Sequence, residues 1–483
     1  MQIELFNTLT RRIDPFEPLR DGEVRMYTCG PTVYDYAHIG NMRAFLCADL
    51  LQRVLRVVGG YEVRWVMNIT DIDDKTIRGS APGSPLWRPE MGEQTDDPRE
   101  NLRRYTSFYE QAFLEDIERL HIRRRDLSAM PRATEYIPQM QDLVRRIVER
   151  GFGYIAGNSV YFDLSAWQAV APYGRLLPID LASIKPGARI DADQYERQEV
   201  TDFVLWKAWK PGEPYWDFEL QGRQLPGRPG WHLECSTMEH ELLGLPFDIH
   251  TGGIDLRFPH HENEIAQSMA GYGVDPTRFW VHNEFLEVEG QKMSKSLGNF
   301  FTLRDLLKQG IDPLDIRFAM LGAHYRSPFN FTFAGIEAAR GARKRVQEYI
   351  YALHEPAPDD GIHVDVAAVR ERIFSHLAHD LHTPKAFAEF FSFLNATPAT
   401  ALSAESRREV LHFISELNQI VDVWDIAPRP PEEIPEEIRR LAEQRWQLRL
   451  QRRYAEADAL RYQIQQAGYT IKDLRDGYII ERL

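Results

Sequence analysis

Cys29, Gly30 and Pro31 form a turn, and His38, Ile39, Gly40 and Asn41 follow at the head of the run MRAFLCADLLQRVLRVV. Gly40 stands where a side chain would stop backbone from approaching a flat or anionic group, and the N–H groups opening the next helix can take a phosphate. The chemistry implied is nucleotide binding, though by neither of the common glycine-rich routes. No G-x-G-x-x-G and no G-x-x-x-x-G-K-[ST] occurs. Far downstream, Lys292 and Lys295 lie in KMSKS, on a loop bounded by Gly290 and Gly298, a cationic segment whose plain reading is a charged surface loop. A third cue is PHHENE, where Pro259 suits a helix start and His260 and Glu264, four apart, share a helix face. A surface contact is the commoner use of such a pair, and with no C-x-x-C in the chain a metal site does not follow from local spacing.

These residues need elements to hold them. Residues 23–28 read as a short buried strand, and Ala44, Cys47, Ala48, Leu51, Val54 and Leu55 recur at helical spacing after the turn. Residues 63–69 read as a second apolar strand running into Thr70 and Asp71. In a doubly wound sheet ligands sit beyond the carboxyl ends of the strands, so Thr70 and Asp71 are expected to face the same pocket as His38. Asp71, Asp73 and Asp74 suit a capped helix start equally well. The Pro- and Gly-rich residues 80–98 read as an inserted mobile loop. Helical periodicity dominates from residue 336 to 423, and APRPPEEIP at 427–435 reads as a stiff linker.

The pair HIGN and KMSKS, in this order, resembles the HIGH and KMSKS signatures of class I aminoacyl-tRNA synthetases. CGPTVYD before HIGN, NITDIDDK, RPGWHLECS and FPHHENEIAQS resemble the cysteinyl-tRNA synthetases in particular. The resemblance implies an α/β fold: a doubly wound Rossmann-like catalytic domain with an insertion, then an all-α helical bundle and a small C-terminal α+β anticodon-binding domain. The expected divisions are 1–125 and 203–285 for the two catalytic halves and 126–202 for the insertion. Residues 286–335 would hold the KMSKS loop and stem-contact region, 336–427 the bundle and 436–483 the anticodon-binding domain. The implied reaction joins L-cysteine and ATP into cysteinyl-adenylate, releases pyrophosphate, and moves the cysteinyl group to the 3′ end of tRNA(Cys).

On the same resemblance His38, Lys292 and Lys295 carry catalysis, and Gly40 and Asn41 join them around ATP, with Asn41 standing where the family has His or Asn. Cys29, Cys235, His260 and Glu264 match the zinc ligands, one Zn2+ per chain, and Mg2+ accompanies ATP. Cys29, Gly30, Thr70 and Trp231 would line the cysteine pocket; Arg449, Asp458 and Asp473 would read the anticodon. Cysteine and serine differ by one atom, and ordinary pocket contacts separate such near-isosteres by only about 10- to 200-fold. Direct binding of a thiolate by zinc supplies the missing discrimination, so no editing domain is expected. Four protein ligands normally close a zinc site, and Glu264 is the ligand expected to yield to the substrate. A related ligase that passes cysteine to an amino sugar would share these residues but would not need residues 436–483.

With 483 residues, two to four domains are expected, and 43% hydrophobic with 27% charged residues is the composition of a soluble globular chain. No apolar run is long enough to span a membrane, and MQIELFNTLTRR lacks a signal-peptide core, so a cytoplasmic monomer without membrane contact is expected. Three scattered cysteines suit a reducing compartment, with Cys47 expected in the core. A net charge of −14 argues mildly against a nucleic-acid partner, so RNA binding would need local basic clusters. Arg123 to Arg125 and the arginines between 439 and 453 are the candidates, with a solvated helix face as the alternative.

Overall fold

The computed structural model describes residues 1–177, 189–190, 202–293, 297–430, 434–474 and 477–482. Four parallel strands form the central sheet: β1 (Glu23–Thr28), β2 (Glu62–Met67), β3 (Phe247–Gly253) and β4 (Thr277–Asn283), in the spatial order β4-β3-β1-β2. Two strands come from each end of a long insertion, and the seam between them is the pairing of Ile249, His250 and Thr251 with Met26, Tyr27 and Thr28. β1 and β3 are buried along almost their whole length, as strands covered on both faces must be. The crossover between β1 and β2 is helix α1 (Ile39–Val57), which buries Leu46, Leu50, Leu51, Val54 and Leu55.

The insertion carries its own sheet, built from Gly153–Ala156, Ser159–Phe162, Asp202–Ala208 and Gly227–Pro229, with Arg189–Ile190 alongside. Asp202–Ala208, expected to open the second half of the catalytic sheet, pairs instead with Ser159–Phe162 and Gly227–Pro229. An apolar run of that length suits either sheet, and only the long-range pairing separates them. Residues 80–98, expected to be a mobile loop, are tied down at several points. Met91 is buried, Trp87 stacks on Tyr105 at 6.3 Å, Gln94 Nε2 donates to the Ala81 carbonyl at 2.9 Å, and Tyr109 Oη donates to that of Leu86 at 3.2 Å.

Helices Phe333–His354, Val366–Ala378, Thr383–Ala396 and Ala404–Val421 pack around Phe374, Phe390, Phe413 and Trp424. A buried ionic network fastens this bundle to α1. Asp49, without exposed surface, accepts from Arg53 Nε at 2.9 Å and from Arg317 Nη2 at 2.7 Å. Arg317 also donates to the carbonyls of Leu120 and Val421, and Arg53 reaches Asp422 at 3.2 Å. The chain divides into two compact units, Met1–Ile426 and Ala427–Leu483. The second pairs helices Glu436–Leu450 and Tyr454–Gln466 with the hairpin Tyr469–Leu474 and Gly477–Arg482, over a small core of Ile438, Ala442, Ile464 and Ile471.

Candidate active site and metal centre

β1 ends on Thr28 and delivers Cys29 directly beyond it, and α1 begins after His38. The His38 Nδ1 accepts from the Asn41 backbone N–H at 3.2 Å, while the Asn41 side-chain oxygen accepts from the His38 N–H at the same distance. With Nδ1 used as an acceptor, a neutral His38 carries its proton on Nε2, the tautomer a phosphate oxygen requires. Asn41, expected as a donor to the nucleotide, thus has its side-chain oxygen committed to the capping box. Gly40 is a spacing requirement: a Cβ there would lie 2.9 Å from His38 Nδ1 and 3.2 Å from Met293 Cε.

That methionine belongs to the lysine loop, so the two motifs, some 250 residues apart, meet. The Ile39 N–H donates to the Phe301 carbonyl at 3.0 Å, and the rings of His38 and Phe300 are 5.1 Å apart. Lys292 is exposed on the short strand Gln291–Lys292, which pairs with Leu286–Val288. Lys295 lies outside the described residues.

Two helices supply the rest of the centre: α2 (Trp231–Leu243), carrying Cys235, and α3 (His260–Tyr272), whose first residue is His260, with Glu264 one turn on. Pro259 takes the N-cap of α3 rather than its first helical position. Cys29, Cys235, His260 and Glu264 are all buried and converge on one point. A tetrahedral zinc, with bonds of about 2.3 Å to sulfur and 2.0–2.1 Å to nitrogen or oxygen, demands edges of about 3.8 Å (S–S), 3.6 Å (S–N), 3.5 Å (S–O) and 3.3 Å (N–O). The protein has 3.7 Å between the sulfurs and 3.5 Å from Cys235 Sγ to His260 Nε2. Cys29 Sγ to Glu264 Oε1 is 3.7 Å. The His260–Glu264 edge is well short of its ideal, 2.8 Å, because those two groups bond directly, and all four donor atoms lie within 4.8 Å of one another.

A second grouping shares Cys29 and Glu264 but replaces the other pair by His250 and His261. It fits less well. Its edges are 4.0, 3.3 and 2.9 Å, His250 Nε2 already touches Glu239 at 2.7 Å, and His261 Nδ1 is joined to His282 at 2.8 Å. These imidazoles form an outer ring that fixes the inner ligands. On the other side His232 Nδ1 lies 2.9 Å from His260 Nδ1, leaving Nε2 of His260 to face the sulfurs. Trp231 lies flat on His260, ring centres 4.0 Å apart, and so orients a metal ligand besides bordering the pocket.

Electrostatics agrees with a cation site. Burial pulls the His260 imidazole down, but Glu264 and Cys235 more than offset it and raise its pKa to about 10. Burial pushes the Cys235 thiol up, yet the hydrogen bond from Cys29 and the charge of His260 bring it to about 6. Thiolate, carboxylate and imidazolium therefore sit within contact of one another, and a divalent ion fits where these protons now balance the negative donors. Both oxygens of Glu239 and Oε2 of Glu264 are buried without a hydrogen bond of good geometry, a further sign of a centre designed around positive charge.

Other expected site residues fall as follows. Thr70 is buried and donates to Glu234. Asp71 does not face the His38 pocket: it accepts from the N–H and hydroxyl of Thr134 at 2.9 and 2.5 Å, and burial, ahead of those bonds, raises its pKa to about 6. Asp73 caps the helix Asp74–Ser80. Cys47 is half-buried against the main core. Arg123 is spent on Asp422, while Arg125 is exposed. In the C-terminal unit Asp473 receives both Arg445, at 2.7 and 2.9 Å, and Arg449, at 3.0 Å, so two of the expected base-reading residues bind each other; Asp458 is exposed. Sequence reading missed Glu234, Asn68 and the histidines 232, 250, 261 and 282. His232 and His261 do stand inside the quoted motifs, and His250 and His282 lie towards the carboxyl ends of neighbouring sheet strands, which is the one signal that could have found them.

This fold and site define a class I tRNA synthetase, and the family model for the class I (C) tRNA synthetase catalytic domain matches residues 15–341. Solved structures of that class share the fold. Methionyl-tRNA synthetase of Mycobacterium tuberculosis, in complex with methionyl-adenylate, aligns with TM-score 0.55 and 15% identity over 82% of this chain and 90% of that one. The leucyl enzyme agnB2 LeuRS of Agrobacterium radiobacter K84, in a ternary complex, gives 0.56 and 11% over 84% and 85%. Within the class the chain belongs to the cysteine–tRNA ligase family. It is 41% identical to the cysteine–tRNA ligase of Chlamydia muridarum over 100% of both chains, and 40% identical to that of Solibacter usitatus over 99% of both.

Proposed function

We propose that the chain activates L-cysteine with ATP and transfers it to tRNA(Cys), and that Cys29, Cys235, His260 and Glu264 hold a zinc ion that selects the substrate. The observation that carries this reading is the convergence of those four donors, at edges close to a zinc tetrahedron, within one residue of the Gly30 turn that leads to His38. When bound, zinc supplies a borderline-soft Lewis acid that favours a thiolate over a hydroxyl. The chain's own residues do the remainder. His38 Nε2–H, at the positive end of α1, donates to phosphate oxygens, and Gly40 keeps that end open. Lys292 and Lys295 stabilise charge on the triphosphate as pyrophosphate leaves, with Mg2+ entering alongside ATP. Holding carboxylate and α-phosphate together removes the entropic part of the barrier.

Among the described residues no helix is long and apolar enough to cross a membrane, and Cys29, Cys47 and Cys235 are free thiols. Unpaired cysteines fit a reducing compartment. The C-terminal unit, with Arg449, Asp458 and Asp473, is the module that would meet the anticodon. Aminoacylation of tRNA(Cys) with cysteine and with serine, before and after removal of metal by a chelator, tests the reading. Charging with cysteine alone, lost on chelation and restored by zinc, supports it; equal charging by the demetallated protein would refute the metal's role.

A further inference from the structure

Arg43 lies five residues beyond His38 on α1, and it is almost fully buried. Its guanidinium donates from Nε to the Glu284 carbonyl at 3.3 Å and from Nη2 to the carbonyls of His324 and Ser327 at 3.2 and 2.7 Å. The centre of the Phe329 ring is 5.2 Å from its Cζ. A guanidinium is a rigid planar fork, so acceptors gathered on it keep one spacing. These acceptors stand at the root of a small sheet. There Leu286–Val288 pairs with Phe329–Phe331 on one side and with Gln291–Lys292 on the other. The Glu284 N–H donates to the Tyr325 carbonyl at 2.8 Å and the Phe329 N–H to that of Phe285 at 3.0 Å, which knits the two inner strands together at their start. From the bundle, Asp380 accepts from Tyr325 Oη at 2.5 Å and from Arg326 Nε at 2.7 Å, so residues 324–327 are held on both sides.

We propose that Arg43 is a positioning residue for Lys292: by gripping the root of this sheet from the helix that His38 caps, it sets the spacing between the two phosphate-binding groups. The inference rests on the ATP-dependent activation proposed above. Lys292 is exposed on the outer strand, so its place is inherited from the strands inside it. The chain beyond Lys292 returns to α1 at Phe301, whose carbonyl accepts from the Ile39 N–H at 3.0 Å. Arg43 thus ties the near end of that excursion to the same helix that holds its far end. All three of its acceptors are backbone carbonyls, so what it fixes is the course of the chain. A cation that stabilises a departing phosphate must stand where the charge develops, and an error of about 1 Å costs about 10²-fold. None of the metal donors is among the partners of Arg43, so its effect falls on the nucleotide and leaves the thiol end of the substrate alone.

Arg43→Met keeps a long side chain and removes the fork. Cysteine-dependent ATP–pyrophosphate exchange should fall about 10²-fold in kcat/KM for ATP, while KM for cysteine stays within about threefold of the parent. The discriminating measurement is a double-mutant cycle with Lys292→Ala, since residues that act as one unit lose their effect only once. In the Lys292→Ala background Arg43→Met should cost less than about threefold more. Arg43→Lys keeps the charge with a single point donor, should show the same overlap with a loss of about tenfold, and stands in should Arg43→Met not fold. Losses that multiply in the double variant, or a KM for cysteine that rises as far as that for ATP, overturn the proposal. So does a Lys292→Ala protein that exchanges normally, because it removes the residue through which Arg43 acts. Failure of the unmodified protein to exchange pyrophosphate with cysteine would instead overturn the function on which the proposal rests.

Discussion

Replacing Gly30 by alanine tests the geometry of the centre most directly. Gly30 does not occupy the left-handed region, so the glycine is needed for room and not for conformational freedom. A Cβ at this position would stand 1.6 Å from the Asn68 carbonyl oxygen and 2.8 Å from its carbon. Even a close C–H···O contact needs about 3.3 Å, so the two backbones must part by roughly 1.7 Å. The Asn68 side cannot give way easily, because the next residue donates from its N–H to the Pro131 carbonyl at 2.8 Å. The movement therefore falls on Gly30 and its neighbour Cys29, and it breaks the 2.8 Å bond from Gly30 N–H to Asn68. Overpacking costs about 1–3 kcal/mol and the lost hydrogen bond about 0.5–1.5 kcal/mol, together about 2–4 kcal/mol of stability. A metal ligand displaced by more than a few tenths of an ångström no longer fits its ion. Cysteine-dependent ATP–pyrophosphate exchange should fall about 10²-fold, the usual penalty for an error of about 1 Å at a reacting centre. The assays are metal content by mass spectrometry, urea unfolding and pyrophosphate exchange. A Gly30→Ala protein with full metal content and exchange within threefold of the parent would show that the Cys29–Gly30 turn does not set the site.

Other consequences are open to simple measurement. Lys295→Ala should lower adenylate formation by about 10²-fold or more, one transition-state donor, while metal content is unchanged; normal exchange would remove Lys295 from the chemistry. Asp49→Asn leaves two buried guanidiniums without their shared carboxylate and should cost about 3–5 kcal/mol in urea unfolding, whereas Asp49→Leu combined with Arg317→Met should recover most of that loss. A cost below about 1 kcal/mol would mean that the neighbouring carbonyls suffice for Arg317 and Arg53. Burial would raise the Asp422 carboxyl, but His121 and the Arg53 and Arg317 guanidiniums hold it below its ordinary value of 3.8. A depressed carboxyl stabilises the fold at pH above its unfolded value and loses that contribution as the pH falls below it. The stability gap between the parent and Asp422→Asn should accordingly be constant near neutrality and close below about pH 4, and asparagine tolerates the left-handed backbone that Asp422 adopts. A gap that widens in acid would refute the assignment.

How far the sequence could be read depended on how local each signal was. The β1 strand, α1 and the bundle helices follow from periodicity that a few turns of chain display. The glycine at position 40 was legible because its reason, close approach at a helix start, is written beside it. The four metal donors were reachable only through the motifs that surround them, since Cys29 is brought to Cys235, His260 and Glu264 by β1, α2 and α3 and by no spacing rule. The partners of the outer histidines are hidden for the same reason: His282 on β4 reaches His261 on α3, and His250 on β3 meets Glu239 on α2. Asp202–Ala208 carries the same apolar pattern in either sheet, so partner choice, a long-range matter, decided it. Residues 80–98 have the composition of a loop, yet one tryptophan and one methionine with a place to bury were enough to tie the segment down. In the C-terminal unit Arg445 and Arg449, four apart on one helix, share the Asp473 carboxylate of the hairpin, a pairing between elements that spacing within one helix does not display.

The order of the central strands also bears on how the protein is made. β1 has β2 for a neighbour at once, but its other edge waits for β3, whose first residue is 180 positions beyond the last of β2, from 67 to 247. At a ribosomal pace of about 5–20 residues per second, that edge stays open for roughly 10–40 s. During that interval the nascent chain carries one unpaired edge of β1, with the Cys29 sulfur beside it, and the insertion's apolar residues wait for Phe247 to complete the core they share with Tyr27 and Val66.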